Sequence, residues 1–159
     1  DVALAADESI RRDRHFHDLA EIADVAIVKV APLGGPRAVR SVLADIDLPV
    51  VVSGAAESSV GLSRDAVVAA QVGAPERAHG LGTGTLLAAD LVEYPVIPVA
   101  GQVPARRAVA DAGPLAEASA RMTAADQETW RIRLQDAWHS ALHADLLAAE
   151  DLSALGIQR

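Results

Sequence analysis

Four polar clusters stand at the ends of apolar runs and could carry chemistry: Asp7-Glu8-Ser9, Lys29, Ser53-Gly54 and Gly80-Leu81-Gly82-Thr83. Lys29 is the most informative. It is the only lysine among fourteen basic residues, the other thirteen being Arg. An ammonium is a compact charge on a flexible stem whose pKa responds to burial, whereas a guanidinium stays protonated. A lone lysine in an apolar run therefore suits a proton-transfer group, a Schiff-base former or a point charge for an anion. The competing reading is a lysine at a strand end that snorkels to water.

The elements that must position these residues repeat. Val25-Ala26-Ile27-Val28 is apolar on both faces, the pattern of a parallel strand covered on both sides, and Pro32 with Gly34-Gly35 ends it just beyond Lys29. Val2–Ala6 reads as a buried strand ending at Asp7, with Asp7 on the face of Ala3 and Ala5 and Glu8 on the opposite one. Leu48–Val52 reads as a third strand, ending at Ser53-Gly54, and Arg77–Leu81 as a weaker fourth. Helices are predicted over 11–22, from Pro36 to Asp47, after Ser63 as a cap with Val67, Val68 and Val72 inward, and briefly from Leu86. Tyr94–Val103 is expected to be an extended edge and Val109–Leu115 a loop. Thr123, with Asp126 as capping-box partner, should open a long helix to about Ala149 whose Trp130, Leu134, Ala137, Trp138, Ala141 and Leu142 stripe must pack on something. The strand ends lie 22, 24 and 27 positions apart, from Asp7 to Lys29 to Ser53 to Gly80. Units of that length with apolar strands predict a parallel α/β architecture, in which ligands bind at the carboxyl ends of the strands.

Composition sets the outer limits. At 159 residues, 51% hydrophobic and 23% charged, the chain is a globular sequence with a core of its own. A net charge of -8 with no basic stripe argues against a nucleic-acid partner, and no apolar run approaches the roughly 20 residues of a spanning helix. The absence of cysteine excludes disulfides and thiolate metal sites and fits a reducing compartment, so a cytoplasmic location is expected. The chain opens at Asp1 on an expected strand, with neither Met nor signal peptide, which reads as a fragment of something longer.

Taken together and in order, Ala6-Asp7-Glu8-Ser9, Lys29-Val30-Ala31-Pro32-Leu33-Gly34-Gly35, Glu57-Ser58-Ser59-Val60-Gly61 after Ser53, and Gly80-Leu81-Gly82-Thr83 resemble the o-succinylbenzoate synthases of the enolase superfamily, over roughly Val2 to Arg107. The resemblance implies the C-terminal half of a TIM-type (β/α) barrel, strands five to eight, over residues 1–107, followed by a C-terminal loop and long helix over 108–159. It implies a lyase of menaquinone biosynthesis that removes water from 2-succinyl-6-hydroxy-2,4-cyclohexadiene-1-carboxylate and depends on a divalent metal, usually Mg2+. By the same resemblance Asp7 would be a metal ligand and Lys29 catalytic, with Glu8 orienting or charge-balancing it. Ser53, Gly54, Glu57, Gly80 and Gly82 would line the substrate's carboxylate pocket. The remaining metal ligands, a lysine pair and a capping domain would lie in a missing N-terminal half, so the chain alone is expected to be inactive.

Alternatives share these residues. An N-succinylamino acid racemase or related epimerase would use the same strand ends. A Schiff-base aldolase would use Lys29 as nucleophile, and a truncated half-barrel would do neither. Gly80–Thr85 fits neither the dinucleotide nor the P-loop spacing. His139 and His143 share a helix face but have no third ligand nearby in sequence. His15, His17 and the Arg11-Arg12-Arg14 cluster read as solvated surface, and Trp130 and Trp138 as packing anchors.

Overall fold

The computed structural model describes residues 2–12 and 18–143, with the side chains of 11, 12 and 141–143 outside the description. The expected helix over 13–17, His15, His17, Arg14 and the helix beyond His143 also lie outside it. The chain divides into two compact units, Asp1–Ala116 and Glu117–Arg159.

The first unit is mixed α/β. Its strands β1 (Ala5–Ala6), β2 (Val25–Val28) and β3 (Val50–Val52) form one parallel sheet in the order β1-β2-β3. Helices α1 (Ser9–Arg12) and α2 (Leu19–Ile22) lie between β1 and β2, and α3 (Val30–Leu33) and α4 (Pro36–Leu43) between β2 and β3. α5 (Ser59–Val72) follows β3. Each crossover returns the chain to the next position in the sheet, as the apolar repeats require. Val25, Ala26 and Val28 of β2 are buried together with Val39, Val50, Val52 and Leu62 in a core of small aliphatic side chains.

Gly34 and Gly35 sit at φ 100° and 99°, a conformation that glycine alone adopts without strain. They turn the chain from α3 into α4, where Pro36 takes the first helical position as expected.

Several elements differ from the sequence expectation. The first strand is short, and Val2 and Leu4 are exposed, 88% and 59%, because no strand among the described residues pairs outside β1. Segment 77–81 is no strand; its only ladder contact is the Ser53↔Gly80 bridge. It nonetheless covers the open edge of β3. Ala74 N–H donates to Val50 O (2.9 Å), Gly80 N–H to Val52 O (2.9 Å) and Gly54 N–H to Gly80 O (2.9 Å). The fourth group, Val52 N–H, donates to the Nδ1 of His79 (3.2 Å). An imidazole thus stands in for a strand carbonyl, which satisfies a backbone donor at a wholly buried residue. Gly73 leaves room for that ring, since a Cβ there would meet it at 2.3 Å.

Helix α5 starts at Ser59, four residues before the Ser63 cap that the sequence suggests, and Ser63 instead bonds within the helix to Val60 O (3.0 Å). The start is set by Asp90. Its carboxylate accepts from Ser59 N–H (3.1 Å) and Ser59 Oγ (2.6 Å), and Ser59 Oγ accepts Val96 N–H (2.7 Å). An anion on the orphan donors of a helix N-terminus is favourable. The inward face of α5 is Leu62, Ala66, Val68 and Ala69, with Val67 exposed. Instead of a helix from Leu86 there is a 3₁₀ turn, Thr83–Leu86. Residues 112–115, expected in a loop, open helix α6 (Ala112–Arg121), whose Ala-rich sequence favours helix and whose Pro114 falls in the first turn, where proline is tolerated.

In the second unit, α7 (Ala124–His143) has the expected cap. Thr123 Oγ1 accepts Asp126 N–H (3.1 Å), and Asp126 accepts Thr123 N–H (3.1 Å). Of the expected packing stripe, Trp130 and Leu134 are exposed, 59% and 70%, and Trp138 is half-buried.

Two expectations follow. His79→Ala leaves Val52 N–H buried without an acceptor and lowers unfolding free energy by about 1–3 kcal/mol in urea denaturation. Asp65, buried on α5, has its carboxyl pushed up to about 7, first by desolvation and then by the charge of Glu57. The folded form holds this proton more tightly than the unfolded chain, so its stabilising contribution is complete below about pH 4 and is lost as pH rises to about 7. In Asp65→Asn the pH-dependence of the urea midpoint over that window is flatter than in the wild type.

Candidate functional site

Lys29 follows directly on β2 and begins α3 in extended backbone (φ -112°, ψ 113°). The parallel register pairs Ala6 with Ala26 and Val28 with Val52, so Asp7, Lys29 and Ser53 emerge one residue beyond the ladder on adjacent strands. Lys29 Nζ lies 2.8 Å from Asp7 Oδ1, 2.9 Å from Oδ2, and 3.1 Å from Glu8 Oε1. Two strand ends far apart in sequence, Asp7-Glu8 and Lys29, thus form one charge cluster at the carboxyl ends of β1 and β2. Ile10, Ile27, Pro32 and Leu33 complete a shallow recess around it.

The lysine side chain is 24% exposed, so the ion pair is neither buried nor freely solvated. Hydrogen bonds that Lys29 donates to Asp7 and then to Glu8 raise its pKa above the ordinary value, outweighing desolvation, which works the other way. Lys29 is therefore held as an ammonium. A Schiff-base nucleophile needs the free amine, so this arrangement disfavours the aldolase alternative.

Ser53, Gly54 and Gly80 are also brought together. Ser53 N–H donates to Val28 O (2.9 Å), and Ser53 pairs with Gly80. The two glycines are required by close approach: a Cβ on Gly80 would meet Ser53 Oγ at 2.7 Å, and one on Gly54 would meet Thr83 Oγ1 at 2.8 Å. Glu57 folds back on this turn, accepting Ala55 N–H at its Oε2 (2.6 Å). Gly82 precedes the 3₁₀ turn and accepts from Thr85 N–H (3.1 Å) and Oγ1 (2.7 Å). Sequence reasoning missed Asp90, which caps α5 at Ser59, His79, which accepts Val52 N–H, and the buried Asp65. The polar Asp65 between Ser63 and the apolar Ala66–Ala70 run is the one signal that could have shown it.

Among the described residues no three carboxylate or imidazole groups stand close enough to hold a metal ion. Asp7 and Glu8 are the two oxygen donors at the recess, and both face Lys29. A hard divalent cation takes six or more oxygen ligands, so this chain alone does not fit one. His139 is exposed, and the side chain of His143 lies outside the described residues. Nor is any helix among the described residues long and apolar enough to cross a membrane.

No family model matches the chain. It is nevertheless 43% identical over 136 residues to the o-succinylbenzoate synthase of Thermobifida fusca, which covers 84% of this chain and 41% of that protein. The same enzyme of Mycolicibacterium smegmatis is 45% identical over 122 residues (76% and 38%), and that of Mycobacterium leprae 46% over 106 (65% and 31%). The resemblance carried by the strand-end motifs is thus shown over most of the chain. The chain spans about two fifths of the length of the curated relatives it matches.

Because Lys29 is the sole lysine, amine acylation followed by peptide mass spectrometry reads its protonation directly. Removing the larger of its two hydrogen-bond partners lowers its pKa, so Asp7→Asn is expected to speed acylation of Lys29 several-fold at pH 9 relative to wild type. Equal rates would mean that the Asp7 contact does not govern the ammonium.

Proposed function

We propose that this chain is the C-terminal part of an o-succinylbenzoate synthase, a lyase of menaquinone biosynthesis that dehydrates 2-succinyl-6-hydroxy-2,4-cyclohexadiene-1-carboxylate. The observation that carries the reading is the Lys29 ammonium held between Asp7 and Glu8 at the carboxyl ends of parallel strands, in a chain 42–46% identical to synthases of that name. Within it, residues 1–107 correspond to the part of a (β/α) barrel that carries strands five to eight, with the irregular segment 77–81 in the place of the eighth, and 108–159 form the segment that follows. The protein acts in the cytoplasm.

The reaction removes the proton on the carbon bearing the carboxylate, to a base that the remaining length of the relatives would supply, and expels the hydroxyl of the neighbouring carbon as water, leaving an aromatic ring. Negative charge grows on the carboxylate as the proton leaves. A preorganised cation beside that charge lowers the barrier, and it is most useful where no reorganisation is needed. Lys29 meets this description because Asp7 and Glu8 already fix its ammonium. It can also give its proton to the departing hydroxyl. Ser53, Gly54 and Gly80 offer a hydroxyl and a side-chain-free wall against which a carboxylate can lie, with Glu57 and Gly82 bounding it.

The divalent cation of this reading, Mg2+, would supply further charge stabilisation when bound, with Asp7 as one ligand. The other ligands would come from a partner region corresponding to the remaining length of the relatives.

The test compares o-succinylbenzoate formation with magnesium by three proteins. These are the chain alone, the chain fused behind the N-terminal region of the Thermobifida fusca relative, and that fusion carrying Lys29→Ala. Activity in the wild-type fusion, none in the chain alone and a loss of at least about 10²-fold in Lys29→Ala are expected, the loss of a charge-stabilising or proton-transfer group. A folded but inactive wild-type fusion would count against the synthase, and racemisation of N-succinylamino acids would then be assayed on it.

A further inference from the structure

Beneath the turn that follows β3 lies a group for which the reaction has no use. Asp65 is 2% exposed, and its Oδ2 has no hydrogen-bond partner. Glu57 Oε1 and Thr83 Oγ1 are likewise buried and unpartnered. These residues surround one turn. Glu57 lies across Gly61, where a Cβ would meet its Cβ and Cγ at 2.6 and 2.8 Å, and Asp65 stands one helical turn further along the same face of α5. Glu57 Oε2 and Thr83 Oγ1 both abut Gly54, 3.2 and 2.8 Å from where its Cβ would be.

The turn itself is strained. Ala56 has φ 67°, a left-handed conformation that costs a residue with a Cβ energy and persists only when its surroundings impose it. The bond from Ala55 N–H to Glu57 Oε2 closes this turn across Ala56. That bond is strongest when Glu57 is charged. A second negative charge in the same desolvated space repels the Glu57 carboxylate, which weakens the bond.

We propose that Asp65 is a positioning residue of the β3 strand end: while it is uncharged, Glu57 holds the Ala55–Glu57 turn against Ser53 and Gly54, and when it ionises the turn loosens. Glu57 is the charge that acts on Asp65. The elements packed on its helix, β3, α3 and the 3₁₀ turn, carry no titratable side chain; the Asp90 carboxylate accepts from Ser59 at the start of α5, Arg64 on α5 itself is exposed, and Arg77 and His79 flank the Ala66–Gly73 side of α5. Since Ser53 and Gly54 line the proposed carboxylate pocket, the consequence for substrate rests on the synthase reading. Pocket order would then fall as pH rises through neutrality.

The test uses the chain itself, by ¹H–¹⁵N NMR from pH 5 to pH 9 with the side-chain carboxyl of Asp65 followed by ¹³C. The Gly54 and Ala55 amides are expected to shift along the same titration curve as Asp65, and that curve is expected to vanish in Asp65→Asn. Flat amides in the wild type, or amides that still titrate in Asp65→Asn, would overturn the proposal. Glu57→Gln gives a second reading should Asp65→Asn unfold: the Asp65 midpoint is expected to fall, and an unchanged midpoint would overturn the coupling. Adding o-succinylbenzoate at pH 6 and pH 8.5 separates this from the functional reading. Stronger perturbation of Gly54 and Gly80 at pH 6 supports both, whereas no perturbation beside an intact Asp65 titration counts against the pocket alone.

Discussion

An ammonium at the end of an apolar strand must find anions, and the positions that satisfy Lys29 decide how the first two strands meet. Asp7 and Glu8 reach it only because β1 and β2 are parallel and in a register that pairs Ala6 with Ala26. A slip of one residue would turn Asp7 to the other face of the sheet. The ion pair is partly exposed and is a weak source of stability by itself. Its effect is geometric and electrostatic: it fixes where the charge sits and keeps the lysine protonated.

The third strand is held differently. Among the described residues β3 has no fourth strand beside it, yet its outward N–H and C=O groups are paired by backbone of segment 74–80 and by one imidazole. This irregular edge does what a strand would do for hydrogen bonding while leaving Gly80 against Ser53. A regular strand through this segment would need a residue other than glycine at few positions, but any Cβ at Gly80 would collide with Ser53. The small polar surface at the end of β3 therefore depends on the segment being irregular.

Much of this was legible in the sequence, for stated physical reasons. All-apolar runs of four or so residues returning at intervals of 22–27 leave little room for anything but parallel strands, and Lys29 stood out by its type alone. The Thr123–Asp126 cap was readable because both bonds are local. What failed was non-local. Nothing near Ser59 announces that Asp90, 31 residues on, caps α5, and nothing near His79 announces a bond to Val52 N–H. The helix at 112–121 was missed because Gly113 and Pro114 look like breakers, whereas a helix's first turn accepts both.

The same contrast separates the two halves of the site. Lys29 and its carboxylates form a cluster whose charges compensate while the ammonium is protonated and the carboxylates are ionised. The Ser53 side has no compensating cation among the described residues. It combines a left-handed Ala56, three buried oxygens without partners and two carboxyls within each other's field. Such arrangements store free energy instead of releasing it. A fold that needed only stability could replace Asp65 by the alanine that fills neighbouring inward positions of α5, and the Ala56 strain could be relieved by glycine. Both costs fall on the turn that shapes the end of β3, and neither falls on the sheet that positions Lys29. The rigid charge and the adjustable wall are thus built on adjacent strands by different means.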